Sequence, residues 1–265
     1  MNALITGGDS GIGLAFAEEL AARGYRLWIV SNREETLAQV RENLGAQTLW
    51  ADLAAHGAAE KVARWCPAPD VLICNAGMFF MQYLSPENLP KVQKMMTLHM
   101  ESTTELCILL GGKMKERGAG HILIMSSMTA RIPAPGIAIY SATKAYLKSF
   151  GRSFSYEMRP YGVKVTTVCP SAVDTGLYPL GPGLRRTLKS VGIIRSPEWL
   201  AGRCLKALFG GRRCISPGLM NILLPPVIGL IPNRLIDRLG MKWINTPAQP
   251  SPDSGPTHKD APGKA

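Results

Sequence analysis

Residues 6–13 read TGGDSGIG, between a short apolar run, Asn2–Thr6, and an amphipathic stretch, Ile12–Arg23, that Gly24 stops. The run is a strand candidate. The stretch is a helix candidate, with Ile12, Ala15, Phe16 and Leu20 at helical spacing. The glycines of residues 6–13, at 7, 8, 11 and 13, permit a tight turn and close backbone approach. A helix opening on such a turn offers free N–H groups and the positive end of its dipole, which suits a diphosphate. A glycine-rich turn alone is weak evidence against a bland strand–helix connection. Its position at the first strand-to-helix junction favours the nucleotide reading.

The same alternation continues along the chain. Arg26–Val30, Thr48–Trp50, Val71–Cys74, His121–Met125 and Val163–Cys169 are further strand candidates. Glu34–Leu44, Ala58–Trp65, Lys91–Arg117 and Ile139–Arg159 are helix candidates between them, Gly45 and Pro160 marking two of the ends. Strands that are short and wholly apolar, such as Val71–Cys74, suit a parallel sheet covered on both faces. Strand–helix repetition at this spacing predicts βαβ crossovers and an α/β fold with a doubly wound parallel sheet. The expected organisation is one catalytic domain over 1–210, a basic and apolar extension over 211–245, and a tail over 246–265. That tail, rich in Pro, Ser and Gly from Thr246 onward, has little to bury. Residues 176–195 read as a mobile connection. Pro197–Phe209 reads as a helix with Ser196 as its N-cap, and the run LMNILLPPVIGLI at 219–231 is broken by Pro225 and Pro226.

Composition excludes several classes. The 265 residues are 46% hydrophobic and carry six cysteines, with neither a C-x-x-C pair nor His/Cys metal spacing. No run of 18 apolar, proline-free residues exists, and the first residues read as a strand rather than a leader. A reducing, cytoplasmic setting follows as the expectation. The net charge is +11, but residues 185–242 hold 11 Lys+Arg against 2 Asp+Glu. The basic excess is thus local, not the charge coat of a nucleic-acid binder, and no nucleic-acid partner is expected.

The end of the second strand bears on nucleotide choice. The stretch there, IVSNREE, puts Ser31, Asn32 and Arg33 where a carboxylate would hold the ribose hydroxyls of NAD. Arg33 can face a 2′-phosphate, so NADP(H) is preferred, with NAD(H) the alternative. Asp9, inside the glycine turn, opposes a phosphate unless it points away to cap the helix.

Residues 140–144 read YSATK. On a helix, Tyr140 and Lys144 share one face. A phenol with a pKa of about 10 is a poor proton carrier near neutrality, and a fixed ammonium beside it favours the phenolate. The plain alternative is a solvent-facing Tyr/Lys pair. Ser127, in HILIMSSM at a strand's end, supports the chemical reading, because a strand's carboxyl end is where a doubly wound sheet gathers its site. Ser127, Tyr140 and Lys144 beside a dinucleotide can hold a carbonyl oxygen and exchange a proton with it.

In TGGDSGIG at 6–13, ADLA with Asp52, CNAG at 74–77, Ser127, YSATK at 140–144 and CPSAVDT at 169–175, this sequence resembles the short-chain dehydrogenase/reductase family over about residues 1–210. The resemblance implies a Rossmann-type fold. It implies a catalytic set of Ser127, Tyr140 and Lys144, with His99 at the position of an asparagine that holds a relay water. The implied cofactor-binding residues are Thr6, Gly7, Ser10, Gly11, Ile12, Gly13, Asn32, Arg33, Asp52, Leu53, Asn75, Ala76 and Gly77, together with Tyr140, Lys144, Val173 and Thr175. Asp52 would touch the adenine, Asn75 would steady the central strand, and Lys144 would also hold the nicotinamide ribose. His99 can hydrogen-bond a water or titrate. It can equally be a helix histidine with no catalytic part. Two further departures are Ser171 after Pro170, in place of glycine, and Cys74 in place of asparagine.

Met78, Phe79, Phe80 and Met81, with Leu177 and Tyr178, suggest an apolar pocket, although each can be plain core. The expected substrate is a small apolar ketone or aldehyde, 3-oxoacyl compounds included, or its alcohol. The family resemblance implies a homodimer or homotetramer built on helices 91–117 and 139–159. The basic segment, with its apolar run, suits a peripheral membrane or an acyl carrier, or packing on the core or across subunits with its arginines solvated. The alternative function is a nucleotide-binding regulatory or scaffold protein of the same fold with little turnover.

Overall fold

The structure is a computed structural model that describes residues 1–66, 68–132, 134–171, 173–174, 183, 186, 194–218, 220–232 and 234–236. Strands Asn2–Thr6 (β1), Arg26–Ser31 (β2), Gln47–Trp50 (β3), Val71–Cys74 (β4), Gly120–Met125 (β5), Val163–Val168 (β6) and Cys214–Ile215 (β7) form one sheet. Their order is β3-β2-β1-β4-β5-β6-β7, and every pairing is parallel. Helices Gly11–Ala22 (α1), Glu34–Leu44 (α2), Ala58–Trp65 (α3), Leu89–Met96 (α4), Ser102–Arg117 (α5), Ala138–Met158 (α6), Pro197–Phe209 (α7) and Met220–Gly229 (α8) accompany the strands, with a few short 3-10 and π turns. This is the doubly wound, Rossmann-type sheet anticipated from the strand–helix alternation.

The period-2 geometry of β1 divides the core. Ala3 and Ile5 face one layer, with Phe16 and Leu20 of α1 and Leu200 and Leu205 of α7. Leu4 faces the other, with Val62 of α3, Leu106 and Leu110 of α5 and Leu147 of α6. All of these side chains are buried, and burial of each large one is worth about 1.5–3 kcal/mol. The helix ends follow the local chemistry. Gly45 closes α2 at φ 61°, and the Ser196 hydroxyl accepts the Trp199 N–H at 3.2 Å to cap α7.

Three features differ from expectation. The single helix over Lys91–Arg117 is two helices joined by a π turn, Thr97–Glu101, which wedges an extra residue into the helix around His99. The apolar run at 219–231 does not stop at its prolines, since α8 passes through Pro225 and Pro226 and leaves Ile222, Leu223 and Val227 exposed. The segment assigned to the C-terminal extension supplies β7, whose Cys214 pairs with Thr167 of β6. A strand of two residues is too short for an alternation pattern to reveal. Among the described residues no helix is long and apolar enough to cross a membrane. Nearly all of 176–195, and all of the tail from Thr246, lie outside the described residues.

Candidate active site at the carboxyl ends of the strands

From β1 the chain winds outward to β2 and β3 in one direction, and β4 follows on the other side. That reversal opens a crevice beyond the strand ends, where ligands of such sheets bind. A cleft of about 550 Å³ lies there, within the usual size range of a ligand site.

The glycine turn forms its floor. Gly7 and Gly11 adopt φ of 63° and 52°, which only glycine takes without strain. Gly13 has no room for a side chain, as a Cβ there would stand 1.8 Å from the Gly7 carbonyl oxygen. Ser10 precedes α1 but makes no side-chain cap, so the N–H groups of the first turn stay available beside Ser10, Gly11 and Ile12, which line the cleft. Thr6 stands behind this wall. Its hydroxyl accepts the Asn75 and Ala76 N–H groups, each at 3.0 Å, and reaches the Ile73 carbonyl at 3.4 Å. The Asn75 amide donates to the Thr6 and Gly7 carbonyls at 3.2 and 3.0 Å. These bonds tie the end of β4 to the turn after β1, so Thr6 braces the floor from behind.

The outer end of the cleft carries two ion pairs, Arg33 with Asp9 and Lys94 with Asp52. Asp9 does not cap α1, and its side chain is buried. Its carboxylate pairs with the Arg33 guanidinium at 2.7 Å and accepts the Thr36 hydroxyl at 2.6 Å. Arg33 also donates to the Ser10 hydroxyl. The pair answers the objection that Asp9 raised in the sequence, because the carboxylate anchors the cation at the mouth of the turn. Asn32 and Leu53 line the same end. Asp52 pairs with Lys94 at 2.8 Å and accepts the Ala54 N–H at 3.0 Å. Burial alone would raise the pKa of this carboxyl, yet Lys94 and the Ala54 N–H hold it below its ordinary value. Lys94 stands 42 residues away on α4, and nothing in the sequence marked it as a cleft residue.

At the inner end Ser127 follows β5, and Tyr140 and Lys144 stand on the first turns of α6. All three are buried and all line the cleft. The Ser127 oxygen accepts the Thr129 N–H at 3.2 Å as it caps a short 3-10 turn, leaving its hydroxyl proton for a substrate oxygen. The Lys144 ammonium donates to the Met125 carbonyl at 3.0 Å and lies 5.6 Å from the Tyr140 ring centre. Desolvation pushes the Lys144 pKa down to about 8, and among the described residues it makes no ion pair. A cation that close to a phenol favours the phenolate, and a phenol so placed can trade a proton with a carbonyl or alcohol oxygen.

The Phe79 ring meets Tyr140 edge-on at 4.9 Å, and Met78 and Phe79 line the adjacent wall. Met81 is exposed. Ala76, Gly77 and Val173 line the cleft, while Thr175, Leu177 and Tyr178 fall outside the described residues. His99 is fully buried behind Gly77 and does not line the cleft. Its Nε2 accepts the Met78 N–H at 3.0 Å, and its Nδ1 lies 2.9 Å from the Thr143 hydroxyl. Burial first, and then the Lys144 charge, hold its pKa well below the usual imidazole range, so the ring is neutral near pH 7. Thr143, the fourth residue of YSATK, is the other contributor that the sequence gave no reason to single out.

A parallel sheet with a glycine turn at its switch point, and a buried Ser–Tyr–Lys set facing that turn, defines a dinucleotide-binding α/β protein. Comparison with known proteins narrows this further. The family model "short chain dehydrogenase" matches residues 1–179, and the chain belongs to that family. It is 31% identical over 189 residues to the mouse very-long-chain 3-oxoacyl-CoA reductase, the match covering 66% of this chain and 60% of that protein. It is 33% identical over 183 residues to the uncharacterized oxidoreductase YmfI of Bacillus subtilis, covering 66% of this chain and 76% of that one. A solved short-chain dehydrogenase from Sphingobium yanoikuyae in complex with NADPH superposes with a TM-score of 0.73 at 25% identity, covering 95% of this chain and 98% of that one.

Proposed function

We propose that this chain is an NADP(H)-dependent oxidoreductase that interconverts a hydrophobic ketone or aldehyde with its alcohol, 3-oxoacyl compounds included. The observation that carries the reading is the burial of Ser127, Tyr140 and Lys144 along one cleft with the glycine turn of α1. The uncapped N-terminus of α1 and the cramped Gly13 fit a diphosphate drawn close to the backbone. When bound, the nicotinamide supplies or accepts the hydride. Ser127 donates a hydrogen bond to the substrate oxygen, Tyr140 gives or takes its proton, and Lys144 stabilises the phenolate. Met78 and Phe79 offer the reacting end an apolar wall. The name of the mouse relative places 3-oxoacyl thioesters first among the compounds to try.

The deciding assay mixes the protein with NADPH and a panel of apolar ketones, aldehydes and 3-oxoacyl thioesters, and follows loss of the reduced nicotinamide band. Tight NADPH binding with no turnover on any of them would favour the nucleotide-binding scaffold instead.

Arg33 decides the preference between the two nucleotides. A charge-assisted bond to a phosphate is worth about 1.5–3 kcal/mol, so Arg33→Ala should weaken NADPH binding by roughly 10- to 100-fold. NADH binding should hardly change, because that nucleotide has no 2′-phosphate. An unaltered ratio of the two dissociation constants would remove Arg33 from this role.

Oligomers are the rule in this family, and the outer faces of α5 and α6 suit such an interface here. They expose Ile108, Leu109 and Tyr156. Sedimentation should report a dimer or tetramer, and Ile108→Lys should shift it toward monomer. A monomeric parent protein would end this part of the reading.

A further inference from the structure

The residue at the relay position is chemically unlike an asparagine, and its bonds assign it a definite state. Three donors and acceptors meet there in series. The Thr143 hydroxyl has a single proton, and it donates that proton to the Tyr140 carbonyl at 2.9 Å. Toward His99 the same oxygen can therefore only accept, so Nδ1 must carry a hydrogen. On the other side the Met78 backbone N–H can only donate, so Nε2 must be bare. The two contacts together select one neutral tautomer and use up both ring nitrogens.

The placement gives that tautomer a task. The loop after β4 carries Gly77, Met78 and Phe79 along the cleft, and Met78 hangs on Nε2. The first turn of α6 carries Tyr140, whose own carbonyl is held through Thr143 by Nδ1. The Tyr140 ring has the Phe79 ring edge-on at 4.9 Å and the His99 ring edge-on at 5.9 Å. No space for a water separates His99 from the loop at Gly77, since a Cβ on that glycine would already stand 3.1 Å from Nε2. The π turn Thr97–Glu101 is what lets the imidazole enter between the loop and α6.

We infer that His99 is a positioning residue, a neutral imidazole that links the Met78 N–H to the Tyr140 carbonyl through Thr143 and so sets the Tyr140 ring against the Gly77–Phe79 loop, and that proton supply to Tyr140 does not pass through this side chain. The inference rests on the reductase reading for its kinetic part and on bond geometry alone for its tautomer. An imidazolium would set a second ring N–H against the Met78 N–H, near the Lys144 ammonium, since a Cβ on Gly77 would meet Nε2 at 3.1 Å and the Lys144 Nζ at 3.7 Å. The ring therefore has no place to take up a proton during turnover.

Two measurements test this. Nitrogen-15 spectra of the labelled full chain should show a hydrogen on Nδ1, none on Nε2, and no titration of His99 from about pH 8 to pH 6. A hydrogen on Nε2, or titration in that range, overturns the inference whether or not any substrate is turned over. Total lack of turnover with the expected spectrum would instead reject the reductase reading and leave the tautomer standing.

The second measurement is kinetic. His99→Ala and Thr143→Val should each lower kcat by about 10- to 100-fold, as expected for a misplaced catalytic group, with NADPH affinity near that of the parent, while His99→Ala also lowers the thermal midpoint because it leaves a cavity and an unpaired Met78 N–H. The double variant should be no worse than the worse single, because both break one chain of bonds. Thr143→Ser should restore most of what Thr143→Val loses. His99→Gln, with an amide acceptor for Met78, should restore part of what His99→Ala loses. The kcat–pH profile should drop as a whole without moving its inflection. Multiplicative losses in the double variant, undiminished kcat in His99→Ala, or a displaced inflection would each overturn the positioning role.

Discussion

Tyr140→Phe is expected to lower kcat on a carbonyl substrate by roughly 10²–10⁴, the usual worth of a placed general acid, with little change in NADPH affinity. The ring itself packs between Phe79 and His99, so phenylalanine keeps those contacts and removes only the oxygen. Stopped-flow reduction with saturating NADPH reads the chemical step directly. Turnover within a few-fold of the parent would mean that another group delivers the proton. Lys144→Met should match this loss while acting oppositely on stability. Lys144 is wholly buried and its pKa falls from 10.5 to about 8, so at neutral pH the folded chain carries a cation that costs on the order of 3 kcal/mol. Below pH 8 both folded and unfolded chains hold the proton, and the full cost is present. Between 8 and 10.5 only the unfolded chain holds it, so stability climbs as pH rises through that window. Lys144→Met should erase this slope and raise the thermal midpoint near pH 7, less whatever is lost where the Met125 carbonyl gives up its donor. A lower midpoint would show that the ammonium is better compensated than its surroundings indicate.

Gly13→Ala is expected to reduce dinucleotide affinity by about 100-fold or more, because the helix N-terminus that receives the diphosphate must move. The added Cβ would lie 1.8 Å from the Gly7 carbonyl oxygen and 2.7 Å from the Asn75 amide nitrogen. Backbone on one side cannot give way cheaply, and overpacking of this kind usually costs 1–3 kcal/mol, about what a domain of this size survives. Tryptophan or nicotinamide fluorescence gives the dissociation constant, and a melting curve separates lost affinity from lost fold. Gly8→Ala is the contrasting control. Its Cβ would meet only the side chains of Ile5 and Ile29, at 3.1 Å or more, and a smaller loss of affinity is expected. Equal affinity of Gly13→Ala and the parent would mean that the turn does not cradle the nucleotide.

The parallel sheet was legible in the sequence because its signal is local. Apolar runs such as Val71–Cys74 recur at the spacing of a βαβ crossover, and glycines at 24 and 45 end helices where the chain must reverse. The glycine turn and YSATK were legible for the same reason, since backbone freedom and an i, i+4 pair are written within eight residues. The pairing of Arg33 with Asp9 was half legible. Both residues were singled out, but a side chain's partner 24 positions away is set by how β2 lies beside β1. The π turn gave no signal, because one extra residue in a helix leaves the apolar spacing nearly intact. Lys94 and Thr143 were also invisible, for their partners Asp52 and His99 lie 42 and 44 positions away.

The sequence by itself determined the order of the first six strands and of the helices between them, apart from the π turn, together with the nucleotide-type turn and the candidates for proton transfer. Those properties follow from backbone conformation and short-range periodicity. Only the tertiary structure decided which charges face each other, how deeply Lys144 is buried and which nitrogen of His99 bears the hydrogen. These depend on distances of 3–6 Å between segments remote along the chain, where desolvation and the supply of hydrogen-bond partners govern protonation.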